Sequence, residues 1–388
     1  MRKTTRARRG RDRTSGHAFL MTAPTISTEG LRELLERGAP VTVLDVRPAA
    51  ERAEWAIPGS VHVDAYDALR RGDPTALAAF HPTNGGRVVT VCAAGKTSML
   101  AAERLRARGL DAVSLEGGMR AWSLAWNAAE LPCPGSAARI VQLRRTGKGC
   151  LSYLIGSNGA AAVIDASLDP PVYQRVADTH GWHIRTVLET HVHADHLSRA
   201  RALAAATGAL LCLPATDRVS FAYAPLNDGD TVRVGSAELR ALRTPGHTAE
   251  STCYLLDDRA LFTGDTLFLA AVGRPDLEAT PDEARRRAHL LHASLQRLVA
   301  LPLETVVLPT HTSEPVAFDG QPIGATLRAV RDRLPLLQGT AETFVRHVLA
   351  RIPAAPPNHH RIVALNETGT LPDNPTELEA GANRCAVA

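Results

Sequence analysis

At 388 residues the chain is long enough for two or three domains of ordinary size. Its 45% hydrophobic and 22% charged residues exclude disorder throughout and a fibrous repeat. The net charge of +4 is misplaced: residues 1–20 hold seven Lys or Arg against one Asp, so the rest of the chain sums to −2. A mildly acidic body does not suggest a nucleic-acid partner. The longest mostly apolar run, residues 202–213, falls far short of the ~20 residues that span a bilayer, so no membrane span is expected. The basic head, residues 1–24, has no apolar run behind it and does not read as a secretory signal. It reads as a disordered extension, as a start placed ahead of Met21, or as an arm for nucleic acid or a membrane surface. Six scattered cysteines with no C-x-x-C pair make no disulfide framework, and a reducing cytoplasm is the default.

Residues 25–130 alternate helix and strand signals. A helical stretch at 31–37 precedes the β-branched run Val41-Thr-Val-Leu-Asp45, and Arg87-Val-Val-Thr-Val-Cys92 is a second strand. A small-residue loop then leads to a helix over 99–108 and a strand over 111–115. This alternation predicts a mostly parallel sheet covered on both faces. Residues 131–137, with two prolines and a glycine, read as a linker. Strands are predicted at 138–143, 152–155, 161–164 and 186–188, and the pattern turns helical after Pro281 and again over 323–337. A second domain is therefore expected over 138–345, followed by a polar, partly ordered tail over 346–388. The fold class is α/β.

Two places carry chemistry. Cys92 ends a strand, and the loop Ala93-Ala-Gly95-Lys96-Thr97-Ser98 leads into a helix. Backbone N–H groups, the helix dipole and Lys96 all favour thiolate there. The competing reading is a buried, inert thiol, and the polar loop argues for exposure. Leu44-Asp-Val-Arg47, Ile57-Pro-Gly-Ser60, Cys92-Ala-Ala-Gly-Lys-Thr-Ser98 and Leu115-Glu-Gly-Gly-Met-Arg-Ala-Trp122 resemble the successive signatures of a rhodanese domain. The resemblance implies that Cys92 carries a sulfane sulfur, cradled by Gly95, Lys96, Thr97 and Ser98. Thr97 and Ala56 stand where that family often has Arg and His. A cysteine phosphatase would need Arg at position 98, which is Ser98.

The second place is His191-Val-His-Ala-Asp-His196, directly after a strand. Residues two apart in an extended segment point the same way, so His191, His193 and Asp195 can converge. His247, Asp265 and His311 also follow strand or turn signals, and this donor set suits a divalent metal. Any single histidine is more simply a satisfied core or surface residue; the whole array is not. It looks like the metallo-β-lactamase superfamily, which implies an αββα sandwich with metal ligands in its loops. Glu189-Thr-His-Val-His-Ala-Asp-His196, Thr244-Pro-Gly-His-Thr248, Phe262-Thr-Gly-Asp-Thr266 and Val272-Gly-Arg-Pro-Asp-Leu277 resemble the persulfide dioxygenases of that superfamily.

That resemblance implies one Fe(II) per chain held by His191, His247 and Asp265, with positions open for a thiol persulfide and O2. His193, Asp195, His196 and His311 would then orient ligands and water. The same seven residues could instead hold two Zn(II) and hydrolyse a thioester, as glyoxalase II enzymes do. Arg274 is either an anchor for a carboxylate of the thiol carrier or a solvated loop residue. A cytoplasmic enzyme acting on a small persulfide and O2 is expected, with its oligomeric state, a homo-oligomer included, left open.

Overall fold

Val41–Asp45 and Arg87–Val91 are β-branched runs buried on both sides, and they lie centrally in a five-stranded sheet. In the computed structural model, which describes residues 24–379 and 384–387, that sheet has the order Thr25–Ile26, Ala112–Leu115, Arg87–Val91, Val41–Asp45, Val61–His62. All its pairings are parallel. A parallel sheet needs cover on both faces. One face packs Leu44 and Val88 against Ala101 and Leu105 of the helix Lys96–Ala107. The other packs Val43, Val89 and Val113 against Leu31 and Trp122. The basic segment 1–23 lies outside the described residues.

Two larger sheets follow, one of seven strands and one of six. Their facing sides share one apolar core, with Ile140, Tyr153, Ile155, Ile164 and Leu188 meeting Leu239, Tyr254, Leu256, Phe262 and Leu308. The Tyr153 and Phe262 rings meet edge-on, 4.8 Å between centroids. Alternation sends the opposite residues outward. Leu154, Val163 and Val187 pack under the helices Pro170–Thr179 and Ala200–Thr207. On the far side Cys253, Leu255 and Leu261 pack under Pro281–Val299 and Ala341–Ala350. The layers run helix, sheet, sheet, helix, which is the expected αββα sandwich.

Two expected boundaries differ from the structure. Residues 131–137 are not a free linker: Asn127–Leu131 pairs antiparallel with Arg139–Arg145, Leu131 opposite Ile140, so the proline-rich stretch connects two strands of one sheet. The described part of the tail, residues 346–379 and 384–387, is built into the fold. Ala341–Ala350 crosses its front edge, His359–Thr368 and Thr376–Glu379 are helical, and Ala386–Val387 pairs with Val272–Gly273. The polar residues that make this stretch look solvated are satisfied inside. Glu379, fully buried, accepts hydrogen bonds from Arg145, Arg199 and the Leu197 amide.

The hairpin turn Thr146–Gly149 joins the two halves. Trp55 donates its indole N–H to Thr146 O at 3.2 Å, and Arg145 donates to Ser123 O at 2.6 Å. Gly147 passes so close that a Cβ would lie 1.8 Å from Trp122 O. Only glycine fits there.

Candidate metal centre

The loops that follow buried strands converge at one edge of the sandwich. Glu189 to His196 follows His183–Leu188, His247 follows Ala237–Arg243, Asp265 follows Ala260–Gly264, and His311 follows Val306–Pro309. Gly264 turns at φ +50°, and a Cβ there would meet Thr190 Oγ1 at 2.7 Å. The chain needs glycine at that point to bring Asp265 in beside the histidines.

All seven array residues are buried and lie together. His191, His247 and Asp265 form one group, and His193, Asp195, His196 and His311 a second; within each, the ligand atoms lie within 4.8 Å of one another. Asp265 stands between them. Its Oδ2 is 3.8 Å from His191 Nε2 and 3.5 Å from His247 Nε2, while its Oδ1 is 3.1 Å from His311 Nε2. The first two separations are too long for direct hydrogen bonds and leave room for an ion between the atoms.

The donor chemistry fits a cation. Asp265 is 2% exposed, and its Oδ2 meets no donor in hydrogen-bonding geometry among the described residues. A buried carboxylate left so is costly unless a positive charge faces it. His191 Nε2 is likewise without a partner, as are His193 Nδ1 and His196 Nε2. Burial and the neighbouring imidazoles of His193, His247 and His311 hold His191 well below the usual imidazole range, which keeps its lone pair free. Burial also lowers His247, although Asp265 opposes it. Burial alone would lower His311, but Asp195 and Asp265 outweigh it and raise it.

Each ring is aimed by its other nitrogen. His247 Nδ1 lies 2.8 Å from Arg274 O, and His191 Nδ1 lies 2.9 Å from Thr190 Oγ1. His193 Nε2 lies between Asp165, at 3.3 Å, and Glu189, at 3.0 Å. Asp165 in turn accepts from the Thr190 amide and from Thr310 Oγ1. Asn366 donates to both His193 O and His196 O at 2.8 Å.

Several of these partners escape the sequence reading. Asp165 carries the same signal as Asp265, an acid directly after an apolar strand, and could have been found. Cys150 and Cys385 carry no local signal. Cys150 Sγ lies 3.6 Å from Asp195 Oδ2, and Cys385 falls in one group with Asp265 and His311. Burial and Asp195 push the Cys150 thiol up, but His196 and His311 outweigh them and bring it down to about 6.

Arg274 is neither a solvated residue nor free to anchor a carrier. It is 1% exposed, and its guanidinium is fully engaged by both Asp276 oxygens and by the carbonyls of Pro353, Ala354 and Arg384. With five N–H donors spent, no donor is left for a substrate carboxylate.

The exposed thiol expected at Cys92 is also corrected. Cys92 is 2% exposed and packs among Leu44, Val46 and Ala101. Ser98 donates its hydroxyl toward the sulfur at 3.3 Å, and Met119 N donates to Cys92 O at 2.9 Å. The turn at Gly117 and Gly118 closes over the loop, because a Cβ on Gly118 would lie 2.2 Å from Cys92 O. Gly95 precedes the helix, Thr97 and Ser98 are buried at its start, and Lys96 points to solvent. A cavity of about 180 Å3 beside Ala93 is lined by Arg47, Trp55, Arg120 and Gly147, so it touches both halves of the chain.

Comparison with known proteins matches residues 145–311 to the metallo-beta-lactamase superfamily and residues 27–125 to the rhodanese-like domain. The hydroxyacylglutathione hydrolase of Methylococcus capsulatus is 36% identical over 200 residues, 50% of this chain and 75% of that protein. That of Pseudomonas entomophila is 38% identical over 158 residues, and there the match spans 40% of this chain and 58% of the relative. Among solved structures, a metallo-beta-lactamase from Staphylococcus aureus superposes with TM-score 0.55 and 27% identity, over 61% of this chain and 74% of that one. ETHE1 from Myxococcus xanthus superposes with TM-score 0.52 and 29% identity, over 59% of this chain and 98% of its own.

Proposed function

The chain belongs to the metallo-beta-lactamase superfamily and carries a rhodanese-like domain ahead of that part, and from this premise we propose that it is a persulfide dioxygenase. The reaction is R–S–SH + O2 + H2O → R–SH + SO3²⁻ + 2 H⁺. The observation that carries this reading is the group of two imidazoles and one carboxylate, His191, His247 and Asp265. A ferrous ion held by those three would supply redox chemistry with positions open for a sulfur donor and O2.

The chain's own residues do the positioning. Arg274 O and Thr190 fix the tautomers of His247 and His191. Asn366 holds the backbone of the histidine loop from below. A cavity of about 230 Å3 reaches His247 between Val192, Thr248, Arg218 and Glu250, and the thiol carrier lies there in this reading. His193, Asp195, His196 and His311 surround the triad and hold protons and water. Cys92 accepts sulfane sulfur, with the Ser98 hydroxyl bonded to it. The six cysteines, none in a disulfide among the described residues, agree with a cytoplasmic setting, and no helix among those residues is long and apolar enough to cross a membrane.

A dinuclear zinc thioester hydrolase is the second reading. The hydroxyacylglutathione hydrolase relatives favour it, and so do the unpartnered His193 Nδ1 and His196 Nε2, which suit a second ion. Metal analysis of protein prepared without oxygen separates the two. About one iron per chain with persulfide-dependent O2 uptake supports the oxygenase. Two zinc ions with thioester cleavage and no O2 uptake move the assignment to the hydrolase.

A further inference from the structure

We infer that Glu278, His359 and His360 form a second, solvent-facing site for a divalent first-row transition metal ion such as Zn2+. Their ligand atoms lie within 4.8 Å of one another, apart from the buried array. His359 and His360 open the helix His359–Thr368, and their rings stand 3.9 Å apart. Both turn toward one oxygen: His359 Nε2 is 3.6 Å from Glu278 Oε1, and His360 Nδ1 closes on the same atom.

The tautomer of His359 is the telling feature. Its Nδ1 lies 3.0 Å from Pro356 O, so the proton of a neutral ring sits on that nitrogen. A lone pair on Nε2 then faces a carboxylate oxygen, and two acceptors face each other unless a cation stands between them or the ring is protonated. The device is the one that aims His247, whose Nδ1 lies on Arg274 O. His359 is 13% exposed at its side chain, so the ring is held rather than trailing in water.

Backbone conformation brings the three together. Glu278 and Asn358, the residue before the two histidines, both adopt positive φ, +55° and +62°. Non-glycine residues take up that region at a cost, which the surroundings must offset. Asn358 is tied by its side chain to Leu378 O. An open hollow of about 510 Å3, lined also by Asp276 and Glu283, leaves room for water on the ion's remaining positions. Two nitrogens and one carboxylate suit Zn2+, Ni2+ or Cu2+ better than Mg2+ or Ca2+.

An ion at this site would fasten the first turn of His359–Thr368 to the segment that holds Arg274. The same helix carries Asn366, and Glu278 also lines the cavity that reaches His247. The inference does not depend on what the buried centre catalyses.

The test uses the full chain with its buried centre already loaded, equilibrated with Zn2+ and freed of loose metal. The wild type should retain one zinc equivalent more than Glu278→Gln and His360→Ala, each of which should weaken the added binding at least tenfold. His360 is largely exposed, so its variant should fold normally. Zn2+ should raise the wild-type melting temperature and leave that of His360→Ala unchanged. Asp265→Ala should keep the extra equivalent while losing the buried metal. Equal zinc counts in wild type, Glu278→Gln and His360→Ala would overturn the proposal and leave an ordinary ion pair between a protonated histidine and Glu278.

Discussion

The Cys92 loop and the histidine loop begin alike, at the end of a buried strand in a parallel pairing, and then diverge. The Cys92 loop is closed by backbone: the Gly117–Gly118 turn lies on it, and the thiol sinks into an apolar cluster with one hydroxyl toward it. The histidine loop is closed by side chains from distant parts of the chain, Asp165, Asn366 and Asp265 among them. A sulfur needs few hydrogen bonds when buried, whereas imidazoles and carboxylates need all of theirs. The first site is therefore local in sequence, and the second draws on more than two hundred residues.

The comparison breaks most severely at Asp265. Asp265→Ala removes the carboxylate of the triad, and retained metal and persulfide-dependent O2 uptake should both fall to background. Elemental analysis beside an oxygen electrode reads the two together. Cys92→Ser should separate the sites: thiosulfate-dependent sulfur transfer should vanish, since a hydroxyl cannot replace the thiolate, while oxidation of a supplied small persulfide stays largely intact. Loss of both activities in that variant would mean that sulfur must pass through Cys92.

Glu379 tests how far the histidine half depends on remote residues. Burial alone would raise its carboxyl, but Arg145 and Arg199 outweigh that and hold it well below its ordinary value of 4.5. A depressed folded-state value means that the stabilisation is complete above about pH 4.5 and decays as the pH falls below it. Glu379→Gln should cost about 3–5 kcal/mol at neutral pH, the usual cost of breaking a buried charge pair. It should also flatten the acid limb of a melting-temperature profile. The smallest effect belongs to the seam between the halves. Trp55→Phe deletes one hydrogen bond, to Thr146 O, and should cost about 1 kcal/mol in chemical denaturation with both activities kept.

Legibility followed the same divide. The alternation over 25–130 and the strand-end positions of His191, His247, Asp265 and His311 are visible in sequence because strands advertise themselves by period and branching. Arg274 misleads because its neighbours, Pro and Gly, signal an open loop, while the carbonyls that bury it come from residues 353, 354 and 384. Residues 346–388 mislead for a related reason. Glu379 reads as solvated until its partners, about 180 to 230 residues earlier, are known. The prolines over 131–137 signal a break in structure, and a hairpin connection meets that signal as well as a linker does.

The clasp formed by Asn366, Glu379 and the strand Ala386–Val387 also sets an order in time. During synthesis the five-stranded sheet has all of its strands once residue 115 has emerged, and it can pack while the rest is still being made. The histidine loop has no such independence, since Asn366 and Glu379 emerge about 170 to 180 residues after it. Nascent chains halted before residue 366 should therefore hold a folded front half and an unsealed histidine loop.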